Sequence, residues 1–212
     1  MQPQVFQHHP DLKALLNKSE KWMFESYQLA GTGGLDTDDK NLVGRVLWHL
    51  SIEHFQAIHI LIDNGLFGSA YALLRPQFEG YVRGTWLHYC ASPELQIKFT
   101  QGKEPPRFSE MLKAIKLIEN FQEGELTEFS ELMLKTLHDY THGGAGQFWN
   151  RINDSGIDSN YEQKDVTQIL KLSLHISYLA FIALAETANN VKLMNCLSNK
   201  YLETFDYIAP GA

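Results

Sequence analysis

The sequence predicts an all-α protein, a single helical bundle of about seven to eight helices with long central helices, spanning residues 1–212. Apolar residues recur at three- and four-residue spacing along nearly the whole chain, which is the period of an amphipathic helix. The alternation of apolar and polar residues that marks a strand is missing. With 212 residues, of which 44% are hydrophobic and 20% charged, the chain can form one globular domain with a sizeable core.

Capping and turn residues delimit the first two predicted helices. One runs from about Pro10 to Ala30, because proline suits the first helical turn and the glycines of residues 31–34 do not hold helical dihedrals. The next begins among residues 36–39, which offer Asp and Thr as N-caps. It ends at about Asp63, since the following Asn-Gly pair tolerates the left-handed conformation at a helix C-terminus.

The third predicted helix begins near Gly68 and ends at about Cys90. Pro76 lies inside it and removes one backbone hydrogen bond, which predicts a kink about one turn earlier. Ser92 and Pro93 predict the start of a short fourth helix, because serine caps a helix and proline fits its first position.

The second half of the chain also reads as helix, with one interruption. Two helices are predicted at about Arg107 to Gln122 and Glu125 to Thr141. Residues 143–161 are rich in Gly, Asn, Asp and Ser, which predicts a loop with at most one short helix. Asp165 is expected to cap a long apolar helix that reaches about Asn190, and a last helix covers residues 191–205.

Charge, hydropathy and cysteine content exclude several classes of function. A net charge of −7, from 25 acidic and 18 basic residues, argues against broad binding of DNA or of anionic membranes. The longest weakly polar stretch, residues 172–185, is shorter than the ~20 residues of a membrane span, and the first residues do not resemble a signal peptide. Cys90 and Cys196 form no CxxC pair, which favours a reducing cytoplasm. No cofactor-binding loop motif is present, so no cofactor is expected.

Two polar residues of the second predicted helix fall on its apolar side. At about 100° per residue, Glu53 lies at the edge of the apolar arc and His54 near its middle, so both are expected to be buried. A buried carboxylate needs a cationic partner, because leaving it charged and alone costs several kcal/mol. Two structural interpretations also remain open. Glu53 forms an ion pair that only stabilises the fold, or His54 is a core histidine whose hydrogen bonds are satisfied. The arc consists of Val43, Val46, Leu50, Ala57 and Leu61.

The third predicted helix carries Arg75, Glu79 and Arg83 in a line, since residues four apart share a helix face. Two of the five arginines in the chain lie in this line. One interpretation is a ladder of local ion pairs, each contributing a few tenths of a kcal/mol. The other is an anion-binding site, because guanidinium groups hold carboxylates and phosphates in bidentate fashion.

A cluster around His142 is the third candidate. His138 and His142 are four residues apart, Tyr140 lies between them, and a glycine-rich segment follows. His142 ends its helix, where the helix dipole favours an imidazolium, so it is either a capping residue or an acid–base group. Two such histidines can share a metal ion, but no third ligand stands at metal-site spacing, so no metal is predicted.

Two short motifs carry a resemblance to a known family. The segment Gly65-Leu-Phe-Gly-Ser-Ala-Tyr-Ala-Leu-Leu-Arg-Pro-Gln-Phe-Glu79 contains Arg-Pro-x-x-Glu, and Asp139-Tyr-Thr-His-Gly143 contains Tyr-x-His-Gly. Over about residues 42–144 the chain resembles an uncharacterised bacterial all-helical family with these motifs. By architecture it is also similar to HEPN-type bundles, which include homodimeric, metal-independent ribonucleases and nucleotide-binding partners of toxin–antitoxin systems.

That resemblance implies RNA cleavage or nucleotide binding in a defence or toxin–antitoxin system. The HEPN ribonuclease motif has an arginine four to six residues before its histidine, whereas upstream of His142 the basic residue is Lys135. An arginine would therefore have to reach His142 from another helix. The implied catalytic residue is His142, and the implied ligand-binding residues are Glu53, Arg75, Glu79, Arg83 and Tyr140, in a pocket between the second, third and sixth predicted helices.

A non-catalytic function is the rival hypothesis. In it the chain is a homodimeric protein-interaction module whose polar cluster only fixes the register of the helices. The apolar and aromatic content, 12% aromatic, favours a homodimer in either case. The sequence does not decide whether the protein is an enzyme.

Overall fold

The structure is a computed structural model that describes residues 8–31, 42–103, 105–121, 140–141, 143–154 and 156–205. Within these ranges it has eight α-helices and one very short β-hairpin. The all-α fold class is therefore confirmed.

The first half of the chain forms five helices and a 3₁₀ turn: α1 Pro10–Gly31, α2 Leu42–Asp63, α3 Phe67–Tyr89, α4 Pro93–Thr100, α5 Phe108–Ile115 and the turn Glu119–Phe121. The second half forms α6 Ala145–Trp149, β1 Ile152–Asn153, β2 Gly156–Ile157, α7 Gln163–Thr187 and α8 Val191–Phe205.

Local signals explain most of the observed boundaries. After α2, Gly65 adopts a φ of 72°, and the Leu66 N–H donates to the Leu61 carbonyl at 2.8 Å, so the chain turns sharply into α3. Ser92 caps α4 by accepting a hydrogen bond from the Leu95 N–H. α3 continues through Pro76 as one helix. The proposed caps at residues 36–39 lie outside the described residues.

Three elements differ from the prediction. α5 ends at Ile115, and the N–H groups of Leu117 and Ile118 then bond carbonyls three residues back, which is the pattern of 3₁₀ turns. The predicted loop at residues 143–161 contains a hairpin whose strands pair Ile152 with Ile157, too short to show alternation in the sequence. α7 begins at Gln163, two residues before the predicted cap Asp165. Most of the helix predicted at residues 125–141 lies outside the described residues.

α2 and α3 pack antiparallel with unusually close backbones. A Cβ added to Gly84 would lie 2.8 Å from the Gly44 carbonyl oxygen and 2.7 Å from Cδ1 of Trp48. The Trp48 indole N–H donates to the Tyr81 carbonyl at 3.2 Å. Glycine at both crossing positions therefore lets Trp48 fill the space between the helices.

α7 is the central helix of the bundle and packs on α1, α2, α3 and α8. By length and composition it could cross a membrane, with a mean hydropathy of 1.5 over 18 residues, but 61% of that window is buried inside the bundle. A core helix has the same composition. Gln77 of α3 forms two hydrogen bonds with α7. Its Nε2 donates to the Ser173 carbonyl at 2.7 Å, and the Ser173 hydroxyl donates to Gln77 Oε1 at 2.6 Å.

The predicted buried face of α2 is wrong. Val46 is 55% exposed and Leu50 is 38% exposed, whereas Arg45 and His59, which lie outside the predicted apolar arc, are buried. The face that packs inward carries the largest apolar side chains, and these bury more apolar area than the predicted arc. Its members are Trp48, Ile52, Phe55, Ile58 and Ile62. His59 is accommodated because its Nδ1 lies 2.7 Å from the Ser19 hydroxyl oxygen of α1.

The burial of His59 predicts that stability falls as the pH drops below about 6.5. Desolvation lowers the pKa of His59, although Asp63 and Glu20 oppose this shift and Lys13 adds to it. Below the ordinary histidine pKa the unfolded chain binds a proton that the folded chain does not, so the free energy of unfolding decreases. The slope is at most about 1.4 kcal/mol per pH unit for one histidine. Urea midpoints between pH 7.5 and 5.5 measure it.

The matched variants are His59→Gln and His9→Gln. His9 is exposed, so its replacement is the control for losing a histidine at the surface. His59→Gln should reduce the slope, and the contributions of His54 and His175, whose pKa values are also lowered by desolvation, should remain. An unchanged slope in His59→Gln would contradict the assignment.

Candidate functional site

Arg75, Glu79 and Arg83 form a continuous ion-pair line along α3. Arg75 Nε donates to Glu79 Oε1 at 2.8 Å, and Arg83 Nη2 donates to Glu79 Oε2 at 3.1 Å. The side chains of Arg75 and Glu79 are each 23% exposed, and that of Arg83 is 38% exposed. The predicted ladder is therefore present. Two guanidinium groups therefore bond one carboxylate on a half-buried face.

This line faces away from α2. The face of α3 that meets α2 carries Gly80 and Gly84, together with the Gln77 carbonyl that accepts a hydrogen bond from Ser51. At about 100° per residue, Glu79 lies roughly 200° around the helix from Gln77. The arginine line is therefore on the opposite side of α3.

Glu53 does not join the arginine line. It is exposed, not buried as predicted, and lies about 200° around α2 from Ser51, which faces α3. Its electrostatic neighbours are His54 and Tyr27. His54 is half-buried, and its pKa is lowered by desolvation despite the nearby Glu53 carboxylate. The prediction that Glu53 lies in a pocket with the arginines of the third helix is therefore wrong, because Glu53 and the arginine line lie on sides of α2 and α3 that face away from each other.

Tyr140 lies at the start of the arginine line, in a cluster of three tyrosines. Its ring centroid is 4.5 Å from that of Tyr71, and Tyr71 is 5.2 Å from Tyr161. Tyr71 and Arg75 are one helical turn apart on the same face of α3. The structure therefore brings Tyr140 to the end of α3 nearest Arg75. Burial, helped by Asp165 and the neighbouring tyrosines, raises the pKa of Tyr71, which keeps its phenol neutral.

Gln147 of α6 holds this cluster together. Its Nε2 donates to the carbonyls of Gly68 and Tyr140, at 2.9 and 3.0 Å, and its Oε1 accepts from the Tyr161 hydroxyl at 2.7 Å. A Cβ on Gly68 would lie 2.8 Å from that hydroxyl, so the glycine provides the room for this contact. Neither Gln147 nor Tyr161 could be identified from the sequence, because both lie in or beside a segment without apolar periodicity.

The remaining candidates of the sequence lie outside the described residues. These are His138 and Asp139, which precede Tyr140, and His142, the predicted catalytic residue. Among the residues that the structure describes, no group of three or more His, Cys, Asp or Glu side chains could hold a metal ion. Cys90 is half-buried, and burial raises the pKa of its thiol, which disfavours the nucleophilic thiolate.

The profile of a protein family of unknown function, DUF6988, matches residues 48–210, more than half of the chain. The chain belongs to the DUF6988 family. In this DUF6988 member the matched span contains the arginine line and the tyrosine cluster, while α1 and the first residues of α2 precede it. No curated protein and no solved structure matches the chain. The match supports the predicted resemblance to an uncharacterised helical family as far as membership of a family of unknown function.

Proposed function

We propose that this DUF6988 protein binds the phosphates of RNA or of a nucleotide along the Arg75–Glu79–Arg83 line. The observation that carries the proposal is the sharing of one carboxylate by two guanidinium groups on a half-buried face. Arg83 provides a second supporting observation: its Nε is buried and makes no hydrogen bond with any described residue. A desolvated guanidinium donor is matched by the oxygens of a phosphate group.

Both guanidinium groups bond the same Glu79 carboxylate, so the two cations converge on one small region of the face. That region matches one phosphate group, whether it belongs to an RNA chain or to a nucleotide. With a net charge of −7, the protein repels RNA elsewhere, so binding is local and strongly salt-dependent.

His142 is the proposed acid–base residue if the RNA is cleaved, in the manner of the HEPN-type ribonucleases that the sequence resembles. Tyr140 packs on Tyr71, one turn before Arg75, so the chain that leads to His142 passes the Arg75 end of the line. In this mechanism Arg75 binds the scissile phosphate and His142 takes up or donates the proton. The two unpaired cysteines favour a reducing cytoplasm, so the expected context is a cytoplasmic defence or toxin–antitoxin system.

Arg75→Gln is expected to weaken binding of a fluorescein-labelled single-stranded RNA at least tenfold, measured by anisotropy at low salt. The variant loses a charge-assisted contact to phosphate, and it should also reduce the dependence of the dissociation constant on salt by about one counterion. Arg107→Gln is the matched control, because Arg107 is exposed at the start of α5 and the change in net charge is the same. ATP and ADP as competitors distinguish nucleotide from RNA binding.

Equal losses in Arg75→Gln and Arg107→Gln would show only non-specific electrostatics, and undetectable RNA binding at low salt would reject the proposal. Arg75→Lys keeps the charge and loses the guanidinium fork, so intermediate affinity is expected. Turnover of an RNA panel by the wild type and by His142→Ala tests the acid–base role separately. Equal turnover by both removes His142 as catalyst.

A homodimeric interaction module is the second candidate, and an exposed apolar stripe on α2 favours it. Leu42, Val46, Leu50 and Ile60 are exposed on one side of the helix, with Glu53 between them. The stripe is apolar at both ends and polar in the middle. A second copy packed antiparallel across a two-fold axis would therefore place apolar against apolar ends, as an isologous interface requires.

Val46→Asp tests the dimer. Sedimentation equilibrium at micromolar concentration is expected to give a dimer mass for the wild type and a monomer mass for Val46→Asp, because the charge would be buried in the interface. Ile157→Asp is the control, since Ile157 is exposed in the hairpin, away from α2. A monomer mass for the wild type would reject the second candidate.

A further inference from the structure

A cavity of about 280 Å³ lies between the C-terminal end of α1, one side of α2, the C-terminal half of α7 and the start of α8. None of the residues that line it belongs to α3, so it is separate from the arginine line. Ile52, Phe181 and Leu184 are buried and give it apolar walls. Ala30 and Ala185 also line it with small side chains.

The rim of the cavity is polar, and the carboxylate of Glu53 lies near it without lining it. Tyr27 and His49 line it, and His49 is exposed. Glu53 follows His49 by one helical turn of α2. Its carboxylate acts on the Tyr27 hydroxyl, whose pKa is raised first by burial and then by Glu53. Glu53 forms no ion pair with any described residue, so its charge is available to a ligand.

We propose that this cavity binds a small molecule with an apolar ring and a cationic amine, the amine lying between Glu53 and the Tyr27 hydroxyl. Small-molecule sites combine mostly apolar walls with a few polar groups that fix the orientation of the ligand. An apolar cavity of about 150 Å³ accommodates benzene, so this larger one has room for a bicyclic ring. The inference does not depend on RNA or nucleotide binding.

The sign of the head group follows from the groups at the rim. Glu53 attracts a cation and repels a carboxylate, whereas the phenol of Tyr27 can accept a hydrogen bond from an ammonium group. His49 also lines the cavity. The ring itself gains affinity from leaving water for the apolar walls.

Three indole probes of similar size separate the contributions of ring and head group. Isothermal titration at pH 8 is expected to show tryptamine binding at least fivefold more tightly than indole, with indole-3-acetate weaker than indole. Glu53→Gln should abolish the preference for tryptamine and leave indole binding unchanged. Because Glu53 is exposed, this variant does not perturb the core.

Ala188→Phe tests the location of the site. Ala188 lines the cavity but is exposed at the C-terminal cap of α7, so a larger side chain fills the opening without entering the core. All three probes should bind at least tenfold more weakly. Ala145→Phe, in α6, is the matched control and should bind them as the wild type does. Equal affinity for tryptamine and indole-3-acetate, no binding at millimolar probe, or no effect of Ala188→Phe would overturn the proposal.

Discussion

Replacing Gly84 with valine is expected to lower the free energy of unfolding by about 3 kcal/mol, through overpacking where α2 and α3 cross. The first added carbon alone would meet the Gly44 carbonyl oxygen at 2.8 Å and Cδ1 of Trp48 at 2.7 Å. Neither atom can move away freely, because one is helix backbone and Trp48 is fully buried. The helices must separate, and the hydrogen bond from Trp48 to Tyr81 lengthens with them.

A glycine substitution away from the crossing should not destabilise the fold. A Cβ on Gly31, the last residue of α1, meets no atom of the described residues within 4 Å, so Gly31→Ala is expected to be neutral or to stabilise by up to about 0.5 kcal/mol. Gly84→Ala should still destabilise clearly. Urea unfolding followed by circular dichroism compares the three variants. Wild-type stability in both Gly84 variants would show that the helices do not approach so closely in solution.

The fold class was predictable because helical period, proline and glycine act locally. The choice of the buried face of α2 was not, because that helix has apolar residues on both sides. Val46 and Leu50 fitted an apolar arc as well as Trp48 and Ile52 did, and only packing against α3 and α7 decides between them. Periodicity identifies a helix with one apolar face and fails for a helix that is apolar nearly all round.

Part of the candidate site was predictable from the sequence and part was not, for the same reason. The pairing of Arg75, Glu79 and Arg83 was predictable because residues four apart on one helix meet whatever the tertiary structure. The position of Glu53 depends on how two helices are rotated against each other, which no local pattern records. Gln147 also acts over a long sequence separation, through its bond to the Gly68 carbonyl.

The two faces of α3 have different roles: one stabilises the fold, and the other carries the proposed binding site. The face with Gly80 and Gly84 holds α2, whereas Arg75 and Arg83 lie on the other side with partly exposed side chains. Substitutions in the arginine line therefore remove i,i+4 ion pairs that contribute only a few tenths of a kcal/mol each. Loss of RNA binding in Arg75→Gln would thus report on the site, because the core remains intact.

Gln77→Ala is expected to cost about 3 kcal/mol, since it removes two buried hydrogen bonds and leaves a cavity. Both bonds join α3 to α7: Gln77 Nε2 donates to the Ser173 carbonyl, and the Ser173 hydroxyl donates to Gln77 Oε1. After the substitution the Ser173 hydroxyl is buried without this partner, which adds a desolvation cost. Denaturant unfolding of purified variants measures the loss.

A double-mutant cycle shows whether the pair acts as a unit. Once Ser173→Ala has removed the orphaned hydroxyl, adding Gln77→Ala should cost about 1 kcal/mol less than it does in the wild type, because directly bonded residues are coupled. Gln96→Ala is the control for losing a glutamine hydrogen bond: Gln96 Nε2 donates to the Leu87 carbonyl at the half-buried surface, and its loss should cost less than about 1 kcal/mol. Strict additivity of the Gln77 and Ser173 substitutions would mean that the two side chains do not bond in solution. The Gln77 Nε2 bond to the Ser173 backbone carbonyl, which Ser173→Ala leaves in place, would then be the bond that this glutamine contributes between α3 and the central helix.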